Sequence, residues 1–209
     1  MPAILDRVRA ALGRSPGAPV PAPPPVRLRV PEVDLESRIA SFSTRLEALA
    51  GRVLRAQNVE AARATVEDVL SGRAAIASNA PLLAECGITG LPVVHSGVTD
   101  REELRTLCAS AAVGITSADY ALADTGTLVM LSSPQEARMI SLLPPAHVAV
   151  VACDRILTGL DELFSIVPAP ASVSSSLVLI TGPSRTADIE QILVRGVHGP
   201  GELTVVLVG

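Results

Sequence analysis

The chain has 209 residues, of which 48% are hydrophobic and 18% charged, and its formal net charge is −4. These values are typical of a folded domain and exclude a disordered chain. All 17 positive charges are arginine, which excludes a phosphate-loop lysine, a Schiff-base lysine and a lysine general base. The only aromatic residues are Phe42, Tyr120 and Phe164, and this scarcity, with the negative charge, argues against nucleic-acid binding.

The sequence shows no signal for a membrane segment or a metal site. No apolar run approaches the roughly 18 residues that a spanning helix needs, so we expect no membrane span. Residues 1–12 lack the apolar centre of a signal peptide, and we expect a cytoplasmic protein. Because Cys86, Cys108 and Cys153 are far apart, and the three histidines lack ligand spacing, we expect no metal site and no iron–sulfur cluster. We expect no cofactor in this chain.

The first 31 residues differ in composition from the rest. Residues 1–12 predict a short helix, and the proline-rich stretch 13–31 predicts an extended arm. The arm is basic, with arginines at 7, 9, 14, 27 and 29 against a single acid at 6. It fits either a solvated tail or a contact with an acidic surface. We therefore divide the chain into an N-terminal helix and arm, 1–31, and an α/β domain, 32–209.

From residue 34 the pattern alternates between strands and helices. Strands are predicted at 52–56, 74–77, 92–94, 112–116, 127–131, 148–152, 177–181 and 204–208. Helices are predicted at 34–50, 58–70, 81–85, 117–123, 158–164 and 185–194, and from a capping box at 99–102. The alternation predicts an α/β fold with a mostly parallel sheet flanked by helices. The link from 116 to 127 is short for a parallel crossover, which favours an antiparallel strand 127–131.

One candidate anion site follows the predicted strand 177–181. Gly182, Ser184, Arg185 and Thr186 lie where that strand passes into a predicted helix, whose free N–H groups attract anions. A cation at a helix N-terminus opposes the helix dipole, so Arg185 is better explained if it faces an anion. The alternative is a capped helix with an exposed arginine.

A second hydroxyl-rich stretch follows the predicted strand 112–116. It places Thr116, Asp124, Thr125 and Thr127 close together in sequence. Ligands of open α/β sheets bind beyond the carboxyl ends of the strands, so we expect this stretch and the 182–186 turn to meet at that edge. Asp124 is a candidate proton donor or acceptor. Asp119 and Asp124 also fit ordinary roles as helix-cap and turn residues.

Two further residues could serve an anionic ligand. His198 lies in a glycine-flanked loop before the last strand and could act as an acid or base, or simply occupy a turn. Arg138 precedes an apolar run and fits either an anion contact or a salt bridge to Glu136 or Asp124. His147 begins a predicted strand and is interpreted as structural.

Four segments in order resemble the LUD-domain family, and more narrowly its lactate-utilisation protein C group: GITSADYALADTGTLV from Gly114, SLLP from Ser141, TGPSRTADIE from Thr181 and VHGP from Val197. The resemblance covers residues 74–209. It implies a fold similar to the glucosamine-phosphate isomerase, ribose-phosphate isomerase and CoA-transferase group. The family commonly has glutamate where this chain has Asp124, which puts in question any role that needs the longer side chain.

The resemblance also implies a function. It suggests an accessory subunit that helps iron–sulfur partner proteins oxidise L-lactate to pyruvate and that holds a small anionic ligand. One alternative is an independent enzyme acting on a small phosphorylated or CoA-linked substrate, with Asp124 as a carboxylate nucleophile. Another is a regulator that binds a ligand without catalysis. Whether the chain is an enzyme, and whether it forms a homo-oligomer, are left open by the sequence.

Overall fold

The computed structural model describes residues 2–15, 28–187 and 193–209. Within these ranges the helices are α1 Pro2–Ala11, α2 Leu35–Ala48, α3 Val59–Leu70, α4 Pro81–Glu85, α5 Arg101–Ser110, α6 Leu160–Ile166 and α7 Pro170–Val173. The strands are β1 Arg52–Ala56, β2 Ala75–Ala77, β3 Val94–His95, β4 Val113–Ser117, β5 Tyr120–Leu122, β6 Thr127–Leu131, β7 Ala146–Ala152, β8 Ile156–Leu157, β9 Leu177–Ile180, β10 Arg185–Ala187, β11 Leu193–Arg195 and β12 Glu202–Val208.

The centre of the domain is a six-stranded sheet in the order β1-β12-β7-β4-β2-β3. Every neighbouring pair in it is parallel, which confirms the predicted α/β fold. The two central strands, β7 and β12, are almost continuously apolar, as strands covered on both faces must be. Because the strands share one direction, their carboxyl ends form a single edge.

Helices and a second sheet cover the two faces of this central sheet. One face packs Val113, Ile115 and Val148 against α3 and α4, around Val66, Leu70 and Leu83. The other face packs Ala149, Val151 and Val205 against α2 and the second sheet, around Phe42, Leu46 and Leu128. The side chains of Asp34, Asn58 and Asp100 accept backbone N–H groups at the starts of α2, α3 and α5. These caps explain where the long helices begin.

The second sheet has the order β8-β5-β6-β9. β6 pairs antiparallel with β5 and β9, which confirms the antiparallel course predicted for 127–131. The helix predicted at 117–123 is wrong, since β5 occupies that stretch. The chain reverses between β5 and β6 through Gly126, which has a φ of 67°, and the resulting hairpin buries Ala121 and Leu122. The strand 177–181 was expected near the carboxyl edge of the parallel sheet, but β9 lies in this second sheet.

The helix predicted at 185–194 is also wrong. β10 and β11 pair antiparallel, with Thr186 opposite Val194. The β-branched residues here favour extended backbone over helix. Residues 188–192, on which part of this prediction falls, lie outside the described residues. The helix N-terminus that motivated the first anion site is therefore not formed at Arg185.

α1 confirms the helix predicted at 1–12, whereas residues 16–27, which make up most of the arm predicted at 13–31, lie outside the described residues. α1 exposes Ile4 and Leu5, and residues 28–33 have no regular structure. The backbone N–H of Arg29 donates to Oδ2 of Asp161, 3.0 Å away, a contact that does not involve the charge of the arginine. Among the helices of the described ranges, none has the length and apolarity to cross a bilayer.

Candidate functional site

A cavity of about 490 Å³ opens at the carboxyl edge of the parallel sheet. It is bounded by the ends of β4 and β7, the residues that follow β2, and the turn after β6. We call it the carboxyl-edge cavity; its lining residues are Ala80, Pro81, Leu82, Ser117, Ala118, Asp119, Tyr120, Leu131, Ser133, Gln135, Glu136, Ala152 and Arg155. Its volume is in the range of small-molecule sites, and its position is the one that ligands favour in open α/β sheets.

Glu136 is held in the wall of this cavity by a tight turn. The backbone N–H of Glu136 donates to Oγ of Ser133 at 3.0 Å and to the Ser133 carbonyl at 3.2 Å. The turn is attached to the end of β2, because the N–H of Asn79 donates to the Gln135 carbonyl over 2.9 Å. The carboxyl group therefore projects from a backbone with fixed attachments.

Glu136 is only 7% exposed, and its two carboxyl oxygens have different surroundings. Oε2 accepts the hydroxyl of Ser78 at 2.8 Å and the backbone N–H of Ser117 at 3.4 Å. Oε1 is buried and has no hydrogen-bond partner among the described residues. Burial raises the pKa of Glu136 to about 8, and the charge of Asp119 acts in the same direction. Glu136 is therefore largely a neutral acid at pH 7.

Asp119 is the second acid of the cavity and joins the two sheets. Its backbone N–H donates to the Val129 carbonyl at 3.0 Å, and its Oδ2 accepts the N–H of Leu131 at 2.7 Å. Burial raises the pKa of Asp119, while its backbone hydrogen bonds and Arg155 oppose this shift. The predicted alternative, a helix-cap role, is wrong, because the residue starts a strand hairpin.

Arg155 supplies a cation to the same cavity. It ends the short 3-10 helix Cys153–Arg155 that follows β7, and its guanidinium carbon lies 5.6 Å from the ring centroid of Tyr120. A guanidinium over an aromatic face is favourably placed and keeps its N–H groups available. The cavity thus combines a neutral acid, a second carboxyl group and a cation, which suits a polar ligand with an acceptor oxygen and negative charge.

Three of the residues proposed from the sequence form one hydrogen-bonded group. The hydroxyl of Thr127 donates to that of Thr125 over 2.8 Å, and Thr125 donates to Oδ1 of Asp124 over 3.2 Å. Thr127 also lies 2.8 Å from the hydroxyl of Thr181, at the place where β6 and β9 pair in the second sheet. Asp124 is exposed and lines a separate cavity beside Gly159, away from the carboxyl-edge cavity.

Gly182, Ser184 and His198 share the wall of a different cleft, of about 260 Å³. This cleft also contacts His147 and Leu203, the second residues of β7 and β12, so it lies at the amino ends of those strands. The expected meeting at the carboxyl edge is therefore wrong for these three residues. Asp124 and His198, the two proton-handling candidates, line different cavities.

Thr116 lies in the core between the two sheets. It is fully buried, and its hydroxyl is 2.7 Å from Nε2 of His147 on the neighbouring strand. Burial lowers the pKa of His147 to about 4, so the imidazole is neutral at pH 7. The structural interpretation of His147 fits this contact. Thr116 lies under the carboxyl-edge cavity without lining it.

The remaining candidates point elsewhere. The guanidinium of Arg185 donates to the Leu49 carbonyl at the end of α2, which explains this arginine without a bound anion. Thr186 lies on β10, opposite Val194 on β11. Arg138 is exposed in the 3-10 helix Arg138–Ser141, and the salt bridges found in the described ranges include none from it to Glu136 or Asp124.

Sequence reasoning missed Glu136 and Arg155 as cavity residues, and Ser78 as the buried partner of Glu136. The end of β4 carried a usable signal, because Asp119 closely follows a strand that runs to the carboxyl edge. Glu136 follows no strand directly, and only the tertiary fold brings it to Ser78. Among the described residues no group of three or more His, Cys, Asp or Glu side chains could hold a metal ion.

Comparison with known proteins identifies relatives over most of the domain. A family model described as the LUD domain matches residues 39–208. Lactate utilization protein C of Halalkalibacterium halodurans is 33% identical over 154 residues, covering 70% of this chain and 67% of that protein. Lactate utilization protein C of Bacillus subtilis is 37% identical over 123 residues, covering 57% of this chain. That match spans about half of the Bacillus protein, 51%.

A solved structure supports the fold. The crystal structure of a DUF162 family protein from Deinococcus radiodurans superposes with a TM-score of 0.66. The match covers 85% of this chain and 100% of that one, at 20% sequence identity. At this identity the likeness establishes a common architecture and carries no information on activity.

Proposed function

The chain belongs to the LUD-domain family, and from this premise we propose that it serves in lactate utilisation, as an accessory subunit of an iron–sulfur system that oxidises L-lactate to pyruvate. The observation that carries the proposal is the similarity to proteins named Lactate utilization protein C, at 33% and 37% identity, within the domain that forms the cavity. The redox centres belong to the partner proteins in this proposal, and this chain contributes a ligand site.

The carboxyl-edge cavity supports a ligand-binding contribution. It is large enough for a small molecule, and it presents Glu136, Asp119 and Arg155 to one volume. Burial raises the pKa values of both Glu136 and Asp119. Burying a carboxyl group costs free energy, and carboxyl groups with strongly raised pKa values are concentrated at functional sites. We propose this cavity as the site of the small anionic ligand. The 182–186 turn is not proposed, because the helix expected to begin there is not formed.

The test is a deletion in the organism that encodes this chain. The deletion strain is expected to grow poorly on L-lactate as sole carbon source and normally on pyruvate, since pyruvate bypasses the proposed step. Lactate-dependent dye reduction in extracts should fall in parallel, and the full-length chain supplied from a plasmid should restore it. Normal growth of the deletion strain on both carbon sources would overturn the assignment to lactate utilisation.

The proposed association with iron–sulfur proteins is tested by a second experiment. A tagged chain purified from lactate-grown cells should bring down partner proteins that contain iron–sulfur clusters. Their clusters should absorb at roughly 400 nm, and this absorbance should bleach on reduction. Elution of the chain alone under conditions that preserve dye reduction would contradict the accessory-subunit proposal. Turnover of a phosphorylated or CoA-linked substrate by the chain alone would favour an independent enzyme.

A further inference from the structure

The two oxygens of Glu136 define where its proton resides. Oε2 accepts hydrogen bonds from Ser78 and from the backbone of Ser117, so it behaves as the carbonyl oxygen of the acid. The carbonyl oxygen is the better acceptor of a carboxylic acid, so we assign the proton to the oxygen that accepts no hydrogen bond. Oε1 is therefore the hydroxyl oxygen of Glu136. It is the oxygen that has no partner within the described part of the chain.

A buried hydroxyl without an acceptor is a costly arrangement. Leaving a buried donor unpaired costs on the order of the desolvation of that group, unless a ligand supplies the acceptor. The last torsion of a glutamate side chain is broad, so a modest rotation can turn the O–H toward a molecule in the cavity. Glu136 lines the cavity, so this rotation would present its one uncommitted donor to a ligand there.

The charges around this donor select the kind of acceptor. The ionisable groups that line the cavity with Glu136 are Asp119 after β4, Tyr120 on β5 and Arg155 after β7. Residues 78–82 after β2 and 133–135 in the turn contribute none. Arg155 favours a negatively charged ligand, and a neutral acid can donate to such a ligand where an ionised Glu136 would repel it.

We propose that the carboxyl-edge cavity binds a small carboxylate, with the Oε1 hydroxyl of Glu136 donating to a carboxylate oxygen and Arg155 meeting its negative charge. Asp119 is the acceptor for a hydroxyl group on the same ligand. The inference rests on the proposed function, because lactate and pyruvate are the short 2-hydroxy and 2-oxo carboxylates of that system. Ser78 is a positioning residue, since it holds Oε2 and thereby directs the proton to Oε1.

Binding through a neutral acid has a definite pH dependence. Only protonated Glu136 donates, so the affinity for a carboxylate should be constant from pH 6 to 7. It should fall about tenfold for each pH unit above the pKa of about 8. Each ligand bound near pH 9 should take up close to one proton, which calorimetry in buffers of different ionisation enthalpy measures.

The experiment uses the purified full chain and titrates L-lactate, pyruvate and inorganic phosphate at pH 7 and pH 9. At least one of the two carboxylates should bind at pH 7 and lose about tenfold or more in affinity at pH 9. Phosphate alone binding, or a carboxylate affinity that is equal at both pH values, would overturn the proposal.

Two substitutions at Glu136 separate donation from packing. Glu136→Gln keeps a donor that never ionises, so it should bind the carboxylate at pH 7 and show the same affinity at pH 9. Glu136→Leu removes the donor and should weaken binding at pH 7 by about tenfold to hundredfold. Glu67→Gln, an exposed change on α3, is the matched control and should behave as the unmodified chain does. A thermal melt of each variant verifies folding.

Growth and binding assays together distinguish a wrong binding site from a wrong assignment to lactate utilisation. If the deletion strain needs the chain for growth on lactate but the Glu136→Leu variant restores growth fully, the proposed function is supported and the proposed carboxylate site is wrong. If the deletion strain grows normally while the purified chain binds a carboxylate with the expected pH dependence, the lactate assignment falls. The carboxylate site then stands, with its ligand to be sought outside the lactate system.

Discussion

Ser78 donates a hydrogen bond from its hydroxyl to Oε2 of Glu136 over 2.8 Å, joining two buried residues that are 58 positions apart in the chain. Ser78 follows β2, and Glu136 lies in the turn after β6. Their contact holds the carboxyl group at the edge of the parallel sheet. It leaves Oε2 hydrogen-bonded and Oε1 without a partner among the described residues. The protonation of this one group then affects both ligand binding and stability.

The first prediction concerns the stability of the Glu136→Gln variant as a function of pH. The pKa of Glu136 is raised in the folded chain to about 8, so the folded state holds a proton that the unfolded state has lost. The stabilisation is complete below pH 4.5 and is lost as pH rises to about 8. Relative to Glu136→Gln, the unmodified chain should lose about 2 kcal/mol between pH 6.5 and 8. Urea unfolding at a series of pH values measures this difference, and parallel curves for the two proteins would contradict it.

The second prediction concerns the buried pair of Thr116 and His147. Thr116→Val keeps the shape of the side chain and removes the hydroxyl that lies 2.7 Å from Nε2 of His147. The imidazole then has an unpaired buried nitrogen, and the free energy of unfolding should fall by about 1–3 kcal/mol. Denaturant unfolding at pH 7 measures it. Thr106→Val, an exposed change on α5, is the control and should change stability far less.

The third prediction concerns acid sensitivity. Burial lowers the pKa of His147 to about 4, so the folded chain excludes a proton that the unfolded chain binds below pH 6.5. The stability that this group contributes is therefore lost as pH falls from 6.5 to about 4, at about 1.4 kcal/mol per pH unit. His147→Gln should remove this loss, whereas His95→Gln, an exposed change on β3, should retain it. The slope of unfolding free energy against pH distinguishes them, and equal slopes for both variants would argue against the assignment.

The fourth prediction concerns Gly114 on β4. A Cβ atom at this position would lie 1.9 Å from the Ile140 carbonyl oxygen, which is backbone and cannot move aside cheaply. Gly114→Ala should therefore destabilise the chain by about 3 kcal/mol or more, or prevent folding. Gly90→Ala is the matched control, since nothing lies within 4 Å of its Cβ position. Thermal melting of both variants is the measurement, and similar melting temperatures would show that the 3-10 helix at Arg138–Ser141 can shift.

Local sequence features account for much of the architecture. Continuous apolar runs of strand length predicted β7 and β12, and polar cap residues such as Asn58 predicted where helices begin. The short 116–127 link correctly predicted an antiparallel β6, because a parallel crossover does not fit in that length. These features depend on neighbouring residues or on chain length alone, which is why the sequence reveals them.

The second sheet and the carboxyl-edge cavity were decided only by tertiary structure. The stretches 117–123 and 185–194 have no strong hydrophobic periodicity. The first becomes a strand because β5 pairs with β6, and the second because β10 pairs with β11. The chemistry of Glu136 depends on Ser78, which is distant in sequence, and on burial that raises its pKa. By itself, the sequence determined a parallel α/β domain of recognisable family. Which of its acids share a cavity depends on long-range contacts, since burial and proximity are properties of the folded chain.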